Sequence, residues 1–109
     1  MTNLAWLATF LVSDEISEDF QNWMENEHFP SLQETGCFED GIGKLSQQQT
    51  KPGFDSIVYF HGPKSQEDWD RYQTEFRPKK GKEFMDKWDK ALGNGQIQVI
   101  QCTNEIKAL

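Results

Sequence analysis

Near its start the chain runs Leu4-Ala5-Trp6-Leu7-Ala8-Thr9-Phe10-Leu11-Val12, almost unbroken in apolar character, which predicts a strand covered on both faces. The period then changes. Behind Ser13 and Asp14, both able to cap a helix, Ile16, Phe20, Trp23 and Met24 recur at helical spacing and predict an amphipathic helix. Pro30 disfavours a helical Phe29, so the helix is expected to end or kink there, with Thr35-Gly36 as its exit turn. A weaker strand is expected from Cys37 to Gln48, where Gly41 and Gly43 suggest a bulge or a close backbone approach. A loop over Gln49 to Gly53 leads to a strict alternation of Phe54, Ser56, Val58 and Phe60 with Asp55, Ile57, Tyr59 and His61, a strand stopped by Gly62-Pro63. Ser65 with Asp68 three residues later resembles a capping box ahead of the stripe Trp69, Tyr72 and Phe76. Pro78 is expected to interrupt that helix. A second helical stretch carries Phe84, Met85, Trp88, Ala91 and Leu92, Gly93-Asn94-Gly95 terminates it, and the last strand is expected over about Gln96 to Cys102.

The order is thus βαββαβ. With short connections it predicts an α+β, ferredoxin-like domain: a four-stranded antiparallel sheet with both helices on one face and the second and fourth strands at opposite edges. Such a sheet leaves one face bare. Because the first strand is apolar on both faces, the bare face is expected to meet its copy in a homodimeric α/β barrel. One domain accounts for residues 1–109, a length that supports a single core.

Charge narrows the partners. Eighteen acidic residues against eleven basic ones leave a net charge of −7, which repels nucleic-acid phosphates and anionic membranes, and the only basic cluster is Lys79-Lys80 with Lys82. No nucleic acid and no membrane is expected as a partner. The apolar N-terminal run is too short to span a bilayer and has no basic flank or cleavage site, so a cytoplasmic setting is expected. Cys37 and Cys102 are then free thiols, placed on opposite sheet edges about 14 Å apart, beyond disulfide reach. Four tryptophans, eight phenylalanines and two tyrosines furnish the core.

The stretch Trp23-Met24-Glu25-Asn26-Glu27-His28-Phe29-Pro30, then Leu32 and Thr35-Gly36-Cys37-Phe38, resembles an uncharacterised family of small bacterial proteins in the dimeric α/β-barrel superfamily. The most specific element is the His-x-Pro followed by Thr-Gly-x-Phe. Asp70-Arg71-Tyr72-Gln73 and the segment Phe84 to Leu92 also fall where that family has its second-helix pattern, whereas Leu7 and Leu11 stand where polar residues are usual. Superfamily members include cofactor-independent monooxygenases, polyketide cyclases and chlorite dismutase-like haem proteins. The resemblance implies the fold and the dimer; it assigns no chemistry.

Topology alone brings His28, His61, Trp6, Trp69, Tyr72 and Cys102 toward one edge of the sheet. The candidate catalytic residues are His28 and His61, and Trp6, Trp23, Tyr59 and Tyr72 are the candidate ligand-binding residues. His28 lies four residues after Met24 and reads either as a structural histidine bonding a carbonyl at the Pro30 kink or as a group that contacts ligand and moves a proton. His61 reads either as a strand-end histidine or as its counterpart. No metal site is expected, since Glu27 and His28 diverge on a helix and no ligand spacing exists. No cofactor is expected either: there is no phosphate loop, no nucleophile elbow and little room for haem. Arg77 is the residue at the Pro78 break that can reach an anion, with a surface salt bridge as the plainer role. The expected function is a small apolar pocket between sheet and helices for a small apolar, aromatic or polyketide-like ligand. That pocket belongs either to a cofactor-independent enzyme of monooxygenase, cyclase or isomerase type, or to a non-catalytic ligand-binding or interaction module.

Overall fold

The computed structural model of the protein describes residues 4–39, 43–102 and 105–108. The long apolar run forms β1 (Leu4–Ser13). It is followed by one helical rod built of α1 (Ser17–Trp23), a π-helical turn over Met24–His28, and α2 (Phe29–Gln33). Strands β2 (Gly43–Lys51) and β3 (Phe54–His61) come next. The second rod joins α3 (Gln66–Arg71), a π-helical turn over Tyr72–Phe76, and α4 (Arg77–Lys87), with α5 (Asp89–Gly93) after it. Strand β4 (Ile97–Cys102) and the short β5 (Lys107–Ala108) close the described chain.

The sheet is antiparallel in the order β2-β3-β1-β4, so β2 and β4 lie on opposite sides of it, and β5 pairs with β1. Alternation along β1 and β3 divides its faces. Trp6, Phe10 and Val12 pair with or lie beside Ile57, Tyr59 and His61, and all six are buried in the core against Phe20, Met24, Phe29, Trp69, Tyr72 and Phe84 of the helices. The opposite face carries Leu7, Leu11, Val58 and Phe60, each only half-buried. Gly43 sits opposite Phe60 on that face, and a Cβ there would overlap the Phe60 ring.

Several expectations are corrected. Neither proline breaks its helix. Proline lacks the N–H for an i−4 bond and its ring crowds that carbonyl, and in each rod the turn just before it widens instead: Phe29 N–H donates to Met24 O and Arg77 N–H to Tyr72 O, both five residues back. The exit turn lies at Thr35-Gly36 as expected, with Gly36 at φ 75°. The second strand starts at Gly43 rather than Cys37, because Phe38 is held in a lone bridge to Pro63; Gly41 lies outside the described residues. Gln49 to Lys51, expected as loop, continue that strand, and β5 is an addition. The Ser65 cap forms as expected, its hydroxyl accepting from Asp68 N–H at 3.0 Å. Cys37 is buried, Cys102 exposed, and both are free thiols. Among the described residues no helix is long and apolar enough to cross a membrane.

Candidate functional site

A cavity of about 280 Å³ lies between the covered sheet face and the two rods. Its floor follows from strand register. Ala8 of β1 faces Tyr59 on one side and Cys102 on the other, and Trp6 faces His61, so the small side chain at the centre of the row leaves a void that a larger residue would fill. One register step along, Phe10 closes the void against Phe20 and Phe84. A bulge between β1 and β4 at Thr9/Phe10 accompanies the exposed Ile100 beside the site.

The π-helical turns supply the walls. A residue inserted into a helix lets consecutive side chains share a face, and His28 and Phe29 both line the cavity, as do Met24 before them and Leu32 after. In the second rod Tyr72, Arg77, Lys80 and Phe84 line it in the same way. The solvent side is formed by Gly81, Met85, Val99 and Cys102, all exposed, so the cavity opens between α4 and β4.

His61 is 3% exposed and enclosed by rings: Trp6 stacks on it at 5.7 Å, Phe29 meets it edge-on at 4.7 Å and Phe38 lies at 5.0 Å. Among the described residues neither of its ring nitrogens has a hydrogen-bond partner, nor does the buried Tyr59 hydroxyl or Nδ1 of His28. Native interiors leave few such atoms, each costing about 1–3 kcal/mol, and these four gather around one cavity. Phe29 stands between the imidazoles, 5.9 Å from His28 and 4.7 Å from His61, so they share a cavity wall without bonding each other.

Burial in this apolar cage lowers the pKa of His61 to about 3, with the charge of His28 adding to the effect. Burial lowers that of His28 to about 4, assisted by Lys80. Burial raises Tyr59, with Glu25 contributing, and burial also raises Tyr72 against the opposing charge of Arg77. At neutral pH the cavity therefore offers two neutral imidazoles, each with one donor and one acceptor, and two un-ionised phenols.

Of the residues expected at the site, Trp6, His28, Tyr59, His61 and Tyr72 line this cavity. Trp23 does not. It stacks on His28 at 5.0 Å on one side and meets Trp88 at 6.0 Å on the other. His28 does not bond a carbonyl through Nδ1; the hydrogen bond at the proline comes from the Ser31 hydroxyl to the His28 carbonyl. Phe29, Leu32, Arg77 and Lys80 were not expected in the lining. Reading the rod through Pro30 would have continued the stripe Met24, His28, Phe29 and Leu32, and Lys79-Lys80 was visible as the one basic cluster. Among the described residues no three His, Cys, Asp or Glu side chains gather as metal ligands do.

The family model described as a domain of unknown function, DUF4286, matches residues 4–94. The chain belongs to that family. The DUF4286 span takes in β1, both rods and β3, hence both histidines, Tyr59, Arg77 and Lys80, while Val99 and Cys102 on the solvent side fall beyond it. No curated protein matches the chain. DUF4286 assigns no activity, so the functional reading rests on the cavity.

Proposed function

We propose that the domain is a ferredoxin-like unit of a homodimeric α/β barrel, and that each subunit binds a small, largely apolar molecule of aromatic or polyketide-like character in the cavity over Ala8. The observation that carries this reading is the set of orphaned atoms on His61, Tyr59 and His28 within an otherwise apolar lining. Ligand pockets combine apolar walls with a few convergent polar groups in this way. His61 and Tyr59 would hydrogen-bond an oxygen of the ligand, and the aromatic rings would stack on it. The free thiols support a cytoplasmic setting.

Dimerisation is supported by the open sheet face, where Leu7, Leu11, Val58 and Phe60 form an apolar patch. A second copy covers it by the commonest closed symmetry. Sedimentation should give a dimer at micromolar concentration, and Leu11→Lys should give monomers. A monomeric wild type contradicts the dimer.

A second reading, cofactor-independent catalysis by proton transfer, is favoured by the same imidazoles. An imidazole held at a pKa of about 3 or 4 accepts a proton poorly at pH 7, so binding is the primary role and catalysis follows only where the bound molecule's own charge raises that basicity. The test is Ala8→Leu, which fills the void without touching a polar group. It should leave the far-UV circular dichroism intact and abolish the co-purifying small molecule, or added aromatic probe, that mass spectrometry detects on wild type. Retention of the bound molecule by the variant would place it outside the cavity and defeat the reading.

A further inference from the structure

The whole chain carries a net charge of −7, yet the charged side chains that line the cavity are Arg77 and Lys80. No aspartate or glutamate lines it among the described residues. An acidic protein that gathers cations around an apolar hole has reversed its average charge at one place, and the local field there attracts anions.

Both cations are set on the second rod by the same device. The π-helical turn ending at Phe76 turns Arg77 and Lys80 onto the cavity face, three residues apart and one turn before Phe84. Arg77 is held in place: its guanidinium donates to Gln73 Oε1 at 2.7 Å and lies 5.1 Å over the Trp6 ring. Lys80 is half-buried and makes no ion pair among the described residues. Its charge reaches inward far enough to help depress His28. Glu25 and Glu83 act on the site more remotely, through Tyr59 and Tyr72.

Resting on the binding role proposed above, we propose that the cavity selects a bicyclic aromatic carboxylate, its anionic group paired with Arg77 and Lys80 and its rings over Ala8. Size sets the ring count: a dry cavity of roughly 150 Å³ accepts benzene, and this one is about 280 Å³. Guanidinium and ammonium groups at the solvent side let the carboxylate stay partly hydrated while the rings are buried, and His61, fully buried with both nitrogens unpartnered, addresses an oxygen at the far end.

Calorimetric titration of the full chain at pH 7 with 2-naphthoate and with the uncharged 2-naphthamide of the same shape separates charge from fit. The acid is expected to bind at least tenfold more tightly than the amide, with the preference shrinking in 0.5 M salt. Lys80→Gln should reduce it at least threefold, as should Arg77→Gln, while Ala8→Leu should abolish binding of both probes. An amide that binds as well as the acid, or a preference unchanged in both charge variants, overturns the anion assignment and leaves the binding role standing. Failure of both probes to bind at millimolar concentration overturns both. Naphthoate binding undiminished in Ala8→Leu locates the anion elsewhere and also overturns the proposal.

Discussion

The covered face of the sheet has two ends that share strands yet are built differently. Around Phe10, Val12, Ile57 and Ile97 the packing is apolar, with Phe20 and Phe84 filling the space from the helices. Two residues back along β1, around Trp6 and Ala8, the rings are as numerous, but they enclose a void, two imidazoles and a phenol with unpartnered atoms. The first end gains stability from burial and dispersion. The second forgoes some of it, because each orphaned group carries a desolvation penalty that no hydrogen bond among the described residues offsets. Local departures from good packing are expected where a protein binds something, and here four of the five orphaned atoms among the described residues sit around the cavity, the fifth being Trp88 Nε1 beside Phe20.

Acid should separate the two ends most strongly. Both histidines fold with pKa values below the ordinary 6.5, so the unfolded chain binds protons that the folded one does not. Their contribution is complete above pH 6.5 and is lost as pH falls toward 4 and then 3. Denaturant titrations should show stability falling in that window with a slope approaching two protons, up to about 2.7 kcal/mol per pH unit from this pair. The slope should drop by one proton in His61→Leu. It should not change in Phe20→Ala, which acts at the filled end.

Next in size is that filled end itself. Phe20→Ala should cost about 3–5 kcal/mol in urea unfolding at pH 7. A loss under 1 kcal/mol would mean that this end is not the stable one. Smallest is the change at the other end, and its sign is reversed. His61→Leu, close in volume, removes two orphaned nitrogens and should stabilise the unliganded protein by about 1–3 kcal/mol at pH 7 while weakening binding of a cavity probe. Destabilisation of that variant would show that His61 has a structural partner and would dissolve the contrast.

Much of this contrast is legible in the sequence. The continuous apolar run of β1 and the alternation from Phe54 to His61 give strands directly, and their antiparallel pairing carries Trp6, His61, Tyr59 and Tyr72 to one place. The rods are less legible. A proline reads as a helix stop because its local cost is known, whereas the π-helical turn that absorbs it depends on packing against the sheet. A helix that ended at Pro30 or Pro78 would leave Phe29, Leu32, Arg77 and Lys80 out of the lining, and with them the cationic side of the cavity. The start of the second strand is hidden for a related reason: Phe38 looks like a strand residue, but its bridge to Pro63 is tertiary. Ala8 was simply one more apolar residue until register set it between Tyr59 and Cys102.

The central claim is that His61 is a neutral, unpartnered group awaiting a ligand. The direct test is the nitrogen-15 spectrum of its ring, recorded by long-range correlation from pH 7 to pH 4 and again at pH 7 with saturating 6-hydroxy-2-naphthoate, whose phenolic oxygen lies at the end away from the carboxylate. The account predicts a neutral imidazole throughout the acid titration for as long as the protein stays folded, and a shift of at least one ring nitrogen when the probe binds. A ring that titrates near 6.5 in the folded protein, or one that binding of the probe leaves unmoved, would contradict it.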